Sequence, residues 1–517
     1  MRPAGTGLLA LLVVGMNGSP ARSQAGSGSA AETRDDDDDG SAATGSALVA
    51  PRDAAARQAW LRDRFAAAIA TRPAVARAKI GFQVVDLATG KVVASREPNR
   101  GLNLASNAKL LTSAAALAGL GNGFRWRTAV FCSPPDDTGA VSGDLYIRGR
   151  GDPVLSVDGL RALAHEVAAR GVRRVEGRLV VDAGYFDAAT EPPHFAEQPG
   201  EPAAFRAPIA SFAVARSAYT VVVMPEPGGA AKLTIEPALP DYLKLAKTEV
   251  ATIALGRTRL RLDATTIDGA LELRVTGQIR NAAGTWDLRR RVDDPARFAA
   301  EVFKRALSDY GIKLGKPTIG YAPVPVNLKT IAVHDSPTLG DVLRSMNKHS
   351  DNNVAESVLK TLGAELKATP GAATWSDAIT ALRAQLARLG MTGGYRSDNG
   401  SGLFASTEVS PKQLVDVLVA AHKDYRIGPD LVASLPIAGS DGTLAKRWQG
   451  HPAQGRVRAK TGTLDKVSTL AGYVGVDGNH LLAFAILVND VPGGQRAVVR
   501  AMVDDMVDSL AAYLDAR

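Results

Sequence analysis

The 517-residue sequence predicts a multidomain protein that mixes α+β and α/β character. Three observations carry that reading. The chain is far longer than one hydrophobic core supports, so two to four domains are expected. Its two ordered ends read alike, each a β-hairpin with an amphipathic helix beside it. Between them a strand-rich stretch (121–320) gives way to a mostly helical one (338–425), a change of texture that marks inserted material.

The elements follow in order. Residues 54–71 show helical spacing, with Trp60, Leu61, Phe65 and Ala68 recurring near one face. Lys79–Asp86 and Lys91–Glu97 read as strands joined by a turn at Ala88-Thr89-Gly90. Leu104–Leu120 is Ala/Leu-rich and helical. The strand-rich stretch contains Gly143–Arg148, Arg178–Asp182, Tyr219–Met224 and Leu271–Ile279, cut by Pro-Gly turns and without internal repeat. Helices are expected near Leu339–Asn347, Val354–Leu362, Thr374–Leu389 and Pro411–Lys423. A second hairpin, Thr469–Val476 and His480–Asn489 around Asp477-Gly478-Asn479, precedes a closing helix at Ala497–Ala512. The economical inference is one antiparallel sheet built from both ends of the chain, with the two terminal helices on one face. That assigns 54–120 and 320–517 to a discontinuous domain and 121–319 to an inserted region of two smaller subdomains.

Composition narrows the class. Hydrophobic residues make up 45% and charged residues 22%, which excludes a chain disordered throughout and a polytopic membrane protein. The net charge is +8, although the first 54 residues carry four Arg against seven acids, so the positive surplus belongs to the remainder. No basic stripe with interleaved aromatics accompanies it, and no nucleic-acid partner is expected. At the amino end, Arg2 precedes the apolar run Leu8–Val14, and Ser23-Gln24-Ala25 offers small residues before a cut. This is signal-peptide architecture over 1–25 and implies an exported, periplasmic (extracytoplasmic) protein. The run is well short of the ~20 residues of a spanning helix, so no stable membrane span is expected. Residues 26–53, rich in Gly, Ser and Ala and holding Asp35–Asp39, read as a disordered linker rather than a calcium loop, which needs spaced ligands around a turn glycine. A lone Cys132 and seven scattered His argue against a disulfide, a metal site or any cofactor. Oligomeric state is not legible.

Three clusters carry chemistry. Ser106-Asn107-Ala108-Lys109 sets a hydroxyl and an amine three residues apart, side by side on one helical face. Its serine sits at the helix amino end, where unpaired N–H groups favour a developing oxyanion. Ser350-Asp351-Asn352 falls in the break between two helices and presents a hydroxyl and an amide, or simply caps a helix. Lys460-Thr461-Gly462-Thr463 precedes the last hairpin; on an edge strand Lys460 and the two Thr hydroxyls would face an anionic group across a cleft, and Gly462 would let a substrate backbone approach. Each alone is weak. Their conjunction, in that order and on a helix, an interhelical break and a strand, is not.

Together they resemble the S-x-x-K, S-D-N and K-T-G set of penicillin-recognising acyl-serine enzymes. About 240 residues separate Ser106 from Ser350, and that spacing resembles the D-alanyl-D-alanine carboxypeptidase/endopeptidase family, the class C low-molecular-mass penicillin-binding proteins. Leu145–Ser156, Met346–Asn352, Gly400–Leu403 and Leu435–Arg447 agree with it, over roughly residues 55–517. The resemblance implies a β-lactamase/transpeptidase-like domain, an antiparallel five-stranded sheet with helices on both faces plus a helical lobe, carrying a strand-rich insertion of two smaller domains. It makes Arg150-Gly151-Asp152 a turn rather than an adhesion motif. One departure stands out: where the family commonly has Arg, the chain has Ala405, which leaves the third residue of the stem peptide open.

The resemblance also implies roles. Ser106 is the nucleophile, Lys109 its base once burial and the nearby Lys460 lower its pKa, and Ser350 the proton relay to the leaving amine. Asn352 orients the substrate amide; Lys460, Thr461 and Thr463 hold the terminal carboxylate beside Gly462; the N–H groups of Ser106 and Thr463 form the oxyanion hole. Partners are peptidoglycan stem peptides and β-lactam antibiotics. The alternatives are a serine β-lactamase, which would hydrolyse the drug rapidly, and a non-catalytic peptidoglycan-binding protein of the same fold. A lipase-type hydrolase would need a G-x-S-x-G that the chain lacks.

Overall fold

The computed structural model describes residues 48–198, 202–246, 248–476 and 480–516. The expected signal peptide, most of the linker and the turn at 477–479 lie outside them. At the linker's far end Ala50 is buried and Asp53 caps the first helix, its carboxylate accepting the Ala56 N–H at 2.8 Å.

Chain contacts divide the described residues into two bodies. Tyr219–Arg290 is one, and the rest of the described chain is the other. In the smaller body, strand Ala270–Arg280 runs parallel to Leu243–Leu245 and Glu249–Ile253 and antiparallel to Arg259–Ile267. A second sheet there has Ala218–Met224 at its centre, flanked by Lys232–Glu236 and Trp286–Arg291.

The larger body contains the sheet made from both ends. Its strands are β1 (Lys79–Asp86), β2 (Val92–Arg96), β3 (Val457–Leu464), β4 (Val467–Val476) and β5 (His480–Asn489), in the order β2-β1-β5-β4-β3. All neighbours are antiparallel, with Phe82 opposite Ile486 and Lys460 opposite Ala471. Side chains alternate across a strand, and here both faces are apolar. Leu482, Phe484, Ile486 and Val488 join Leu61, Phe65, Met502 and Met506 in one core, beneath helices α1 (Ala54–Ala70) and α7 (Arg496–Asp515). Ala483, Ala485 and Leu487 belong to the other core. The terminal helices do share one face, as expected from the residues, and the opposite face is covered as well. There pack α2 (Ala108–Leu120), α3 (Leu339–His349), α4 (Asn352–Leu366), α5 (Trp375–Arg388) and α6 (Pro411–Lys423). Among the described residues no helix is long and apolar enough to cross a membrane.

A second five-stranded sheet follows α2. Its order is Gly320–Tyr321, Leu179–Asp182, Leu145–Arg148, Arg127–Cys132 and Lys329–Asp335. Lys329–Asp335 pairs antiparallel with Arg127–Cys132, so this layer reaches past residue 319, where the sequence suggested a boundary. Arg150-Gly151-Asp152, expected as a turn, is irregular chain, and the turn falls just after it at Pro153-Val154; Gly151 has φ 79, and a Cβ there would lie 2.5 Å from the Phe186 ring.

Candidate active site

Ser106 lies in a 3-10 turn, Ala105–Asn107, that runs straight into α2. Its place at a helix amino end agrees with the sequence, although the first turn is tighter than an α-helix. Lys109 is on the first turn of α2 and fully buried. Its Nζ lies 3.0 Å from Ser106 Oγ and donates to Asn352 Oδ1 at 2.7 Å and to Ser401 O at 3.0 Å. Burial pulls its pKa down from 10.5 to about 7, against the carboxylates of Glu356 and Asp351, which pull it up. The sequence reading credited Lys460 with part of this shift; in the structure desolvation carries it.

The Ser350 break is positioned from both sides. Asn347, fully buried on α3, donates to Ser113 Oγ on α2 at 3.0 Å and to Ser434 Oγ at 2.9 Å, tying α3 to the helix that bears Lys109. Ser350 then ends α3 in the left-handed region, φ 57. Asp351 caps α4 through an Oδ1 contact with the Val354 N–H at 3.1 Å. The cap expected of Ser350 or Asn352 is thus made by the residue between them; Ser350 Oγ accepts from Lys460 Nζ at 2.8 Å, and Asn352 Oδ1 accepts from Lys109 Nζ.

Strand β3 is an edge strand and lies against the Ser106 turn. A Cβ on Gly462 would fall 2.2 Å from Thr469 Oγ1, 2.6 Å from Leu104 O and 3.1 Å from Ser106 N. The room that this glycine leaves is therefore taken by the Ser106 turn, which corrects the expectation that it admits substrate. Lys460 differs too. It does not reach across open space but is fully buried, donating to Ser350 Oγ and to Thr461 O, both at 2.8 Å. Thr461 and Thr463 stay accessible, Thr461 Oγ1 bonding Thr443 Oγ1 at 2.9 Å.

Sequence reasoning missed one support. Glu356, one helical turn after Asn352 on α4, is buried and accepts the N–H groups of Gly400 (2.9 Å) and Ser401 (2.8 Å). Burial raises its pKa above the usual carboxylate range. It thereby holds the Gly400–Leu403 loop whose Ser401 carbonyl receives Lys109. Gly402 lets that loop pass: at φ 76, a Cβ would sit 1.9 Å from Ala105 O. The i, i+4 spacing of Asn352 and Glu356 was the available signal. Ala405 is exposed, and its N–H donates to Glu197 Oε2 at 3.3 Å. Among the described residues no cluster of His, Cys, Asp or Glu could hold a metal ion.

The family model of the D-Ala-D-Ala carboxypeptidase 3 (S13) family matches residues 61–513. The chain belongs to that family. It is an S13 enzyme of the D-Ala-D-Ala carboxypeptidase type. It is 36% identical over 463 residues to a D-alanyl-D-alanine carboxypeptidase of Actinomadura sp. (strain R39), covering 86% of this chain and 84% of the relative. It is 26% identical over 427 residues to the D-alanyl-D-alanine carboxypeptidase DacB of Haemophilus influenzae, covering 80% and 86%. The solved structure of penicillin binding protein 4 (dacB) from Haemophilus influenzae is similar in fold, with a TM-score of 0.72 at 24% identity over 86% of this chain and 98% of that one. Both the multidomain α/β fold and the family expected from the three motifs are thus those of the S13 chain.

Proposed function

We propose that this S13 enzyme cleaves D-alanyl-D-alanine ends of peptidoglycan stem peptides through an acyl-enzyme on Ser106, and that penicillins acylate the same oxygen. One observation carries the reading, the bonding of the Lys109 amine. Asn352 Oδ1 and Ser401 O can only accept. A neutral amine gives them its two N–H groups and keeps its lone pair for the Ser106 hydroxyl, 3.0 Å away. With a pKa of about 7, that neutral form is well populated at physiological pH.

The chemistry follows. The Ser106 proton passes to Lys109 Nζ as Oγ attacks the scissile carbonyl. The oxyanion forms near the N–H groups of Ser106 and Thr463; the nearness of Ser106 N to Gly462 supports that pairing, and each donor is worth on the order of 3 kcal/mol. As the C–N bond breaks, the Ser350 hydroxyl passes its proton to the leaving nitrogen and takes one from Lys460 Nζ, which donates to it. Thr461 and Thr463, with the Lys460 charge behind them, hold the terminal carboxylate, and Asn352 orients the substrate amide while fixing Lys109. Water then hydrolyses the ester: its proton returns through Ser350 to Lys460, and Lys109 gives its proton back to Ser106 Oγ as the acyl–oxygen bond breaks. Release of terminal D-Ala makes the enzyme a carboxypeptidase; the same step on a cross-link makes it an endopeptidase. The amino-terminal segment fits export to the periplasm, where peptidoglycan lies.

The test is a stoichiometric label from fluorescent penicillin on the full chain, together with loss of D-Ala from isolated peptidoglycan. Ser106→Ala should abolish both, and persistent labelling of that variant would remove Ser106 from its role. A short-lived adduct would favour the β-lactamase reading, and binding without D-Ala release the non-catalytic one.

A further inference from the structure

Asp351 has a second partner that no motif announces. Its Oδ1 caps α4, and its Oδ2 lies 2.9 Å from the Nε of Arg216, a residue of the inserted segment. Arg216 is the middle of three consecutive non-glycine residues in the left-handed region: Ala215 (φ 52), Arg216 (φ 57) and Ser217 (φ 53). L-residues enter that region singly and at a cost, because Cβ crowds the following carbonyl. A run of three persists only where its surroundings over-determine it. The Ala215 N–H donates to Leu155 O at 3.0 Å, the Ser217 N–H donates to Val214 O at 2.9 Å, and Ser217 is fully buried. What the run achieves is delivery of a guanidinium to a carboxylate in a nearly closed place, the two side chains being 16% and 7% exposed.

That carboxylate belongs to the middle residue of Ser350-Asp351-Asn352. Ser350 is itself held at φ 57, so the direction of its hydroxyl depends on how firmly the next residue is anchored. We propose that Arg216 is a positioning residue for the acyl-transfer site, clamping Asp351 so that Ser350 and Asn352 point into the cleft. The inference rests on the acyl-serine reading above. Arg216 also has an electrostatic consequence. The charged groups bearing on Lys109 are Glu356 and Asp351 of the α4 end, with Lys460 next to Ser350. Asp351 favours the protonated amine, and the Arg216 cation offsets that pull.

The two effects separate experimentally in the full chain, by following acylation with fluorescent penicillin from pH 5 to 9. Arg216→Met should acylate at least tenfold more slowly and move the acid limb up by about half a unit. Arg216→Lys keeps the charge without the planar fork, so its limb should stay in place while its rate falls severalfold. Asp351→Asn, which preserves the cap, should move the limb down, and Arg216→Met/Asp351→Asn should return it to the wild-type position or below. A normally melting Arg216→Met with wild-type rate and limb overturns the proposal. So does a slow Arg216→Met whose limb is unmoved and which Arg216→Lys matches, since that is a packing role alone. Should Arg216→Met fail to fold, Arg216→Lys and Asp351→Asn decide by the same criteria. Failure of the wild-type chain to label at Ser106 would instead strike the acyl-serine reading.

Discussion

Lys109 Nζ donates to Asn352 Oδ1 across 2.7 Å, and this contact joins residues 243 positions apart. It brings an α2 side chain to the first residue of α4 and leaves the amine with acceptors on two sides. The Ser106 hydroxyl is the remaining neighbour, and a neutral amine has its lone pair left for it.

The first expectation concerns pH. Acylation should fall as pH drops through about 7, the folded-state pKa of Lys109. Lys109→Met should lose on the order of 10³-fold in acylation rate. Stability carries the same signature. Between about 7 and the unfolded value of 10.5, the unfolded chain holds a proton that the folded chain lacks, so stability rises with pH across that window. The span is worth on the order of 5 kcal/mol. Urea unfolding from pH 7 to 10 should show this rise in the wild type and a flatter line in Lys109→Met.

Asn352→Leu removes one of the two obligate acceptors and strands a buried N–H. Penicillin acylation should slow by about 10²-fold. Asn352→Asp places a carboxylate against the amine instead, which raises the Lys109 pKa, so its acid limb should rise by about one unit or more. Single-turnover labelling across pH distinguishes the two substitutions.

Gly462→Ala should damage the Ser106 turn rather than substrate entry. The added Cβ would press on Leu104 O and Ser106 N, backbone atoms that cannot swing aside. A loss of about 1–3 kcal/mol in stability is expected, and acylation should slow at least tenfold. Thermal melting and labelling rate on the same preparation check both. A fully stable variant with normal acylation would mean that the turn can retreat.

Glu356→Gln should act in the opposite sense to Asn352→Asp. The carboxylate of Glu356 pulls the Lys109 pKa upward, so its removal should carry the acid limb below 7. The amide must also accept two backbone N–H groups, from Gly400 and Ser401, with a single oxygen, and the loop bearing Ser401 should loosen. Faster amide hydrogen exchange at 400–403 together with a lowered limb is the expected pair of readouts.

Much of this site was legible as linear text. Ser106 and Lys109 lie three apart on one helical turn, so their adjacency follows from local geometry, and so does the hairpin that aligns β4 with β5. Glu356 was equally close to Asn352 in sequence, but a carboxylate on a helix is usually solvated, and nothing local announces that this one is buried. The behaviour of Gly462 and Lys460 was misread for a related reason. Which atom occupies the space beside a glycine, or receives an ammonium, depends on the segment packed against it, here the Ser106 turn and Ser350.

The sequence by itself determined the elements, the membership of the two chain ends in one sheet, and the residue types of the proposed acyl-transfer site, because periodicity, turn chemistry and helical spacing are short-range properties. Only the tertiary structure decided the electrostatic state of that site. Desolvation of Lys109 and the placing of Glu356, Asp351 and Arg216 around it are set by segments that meet only in the fold, and a charge responds to what surrounds it in space rather than to its neighbours along the chain.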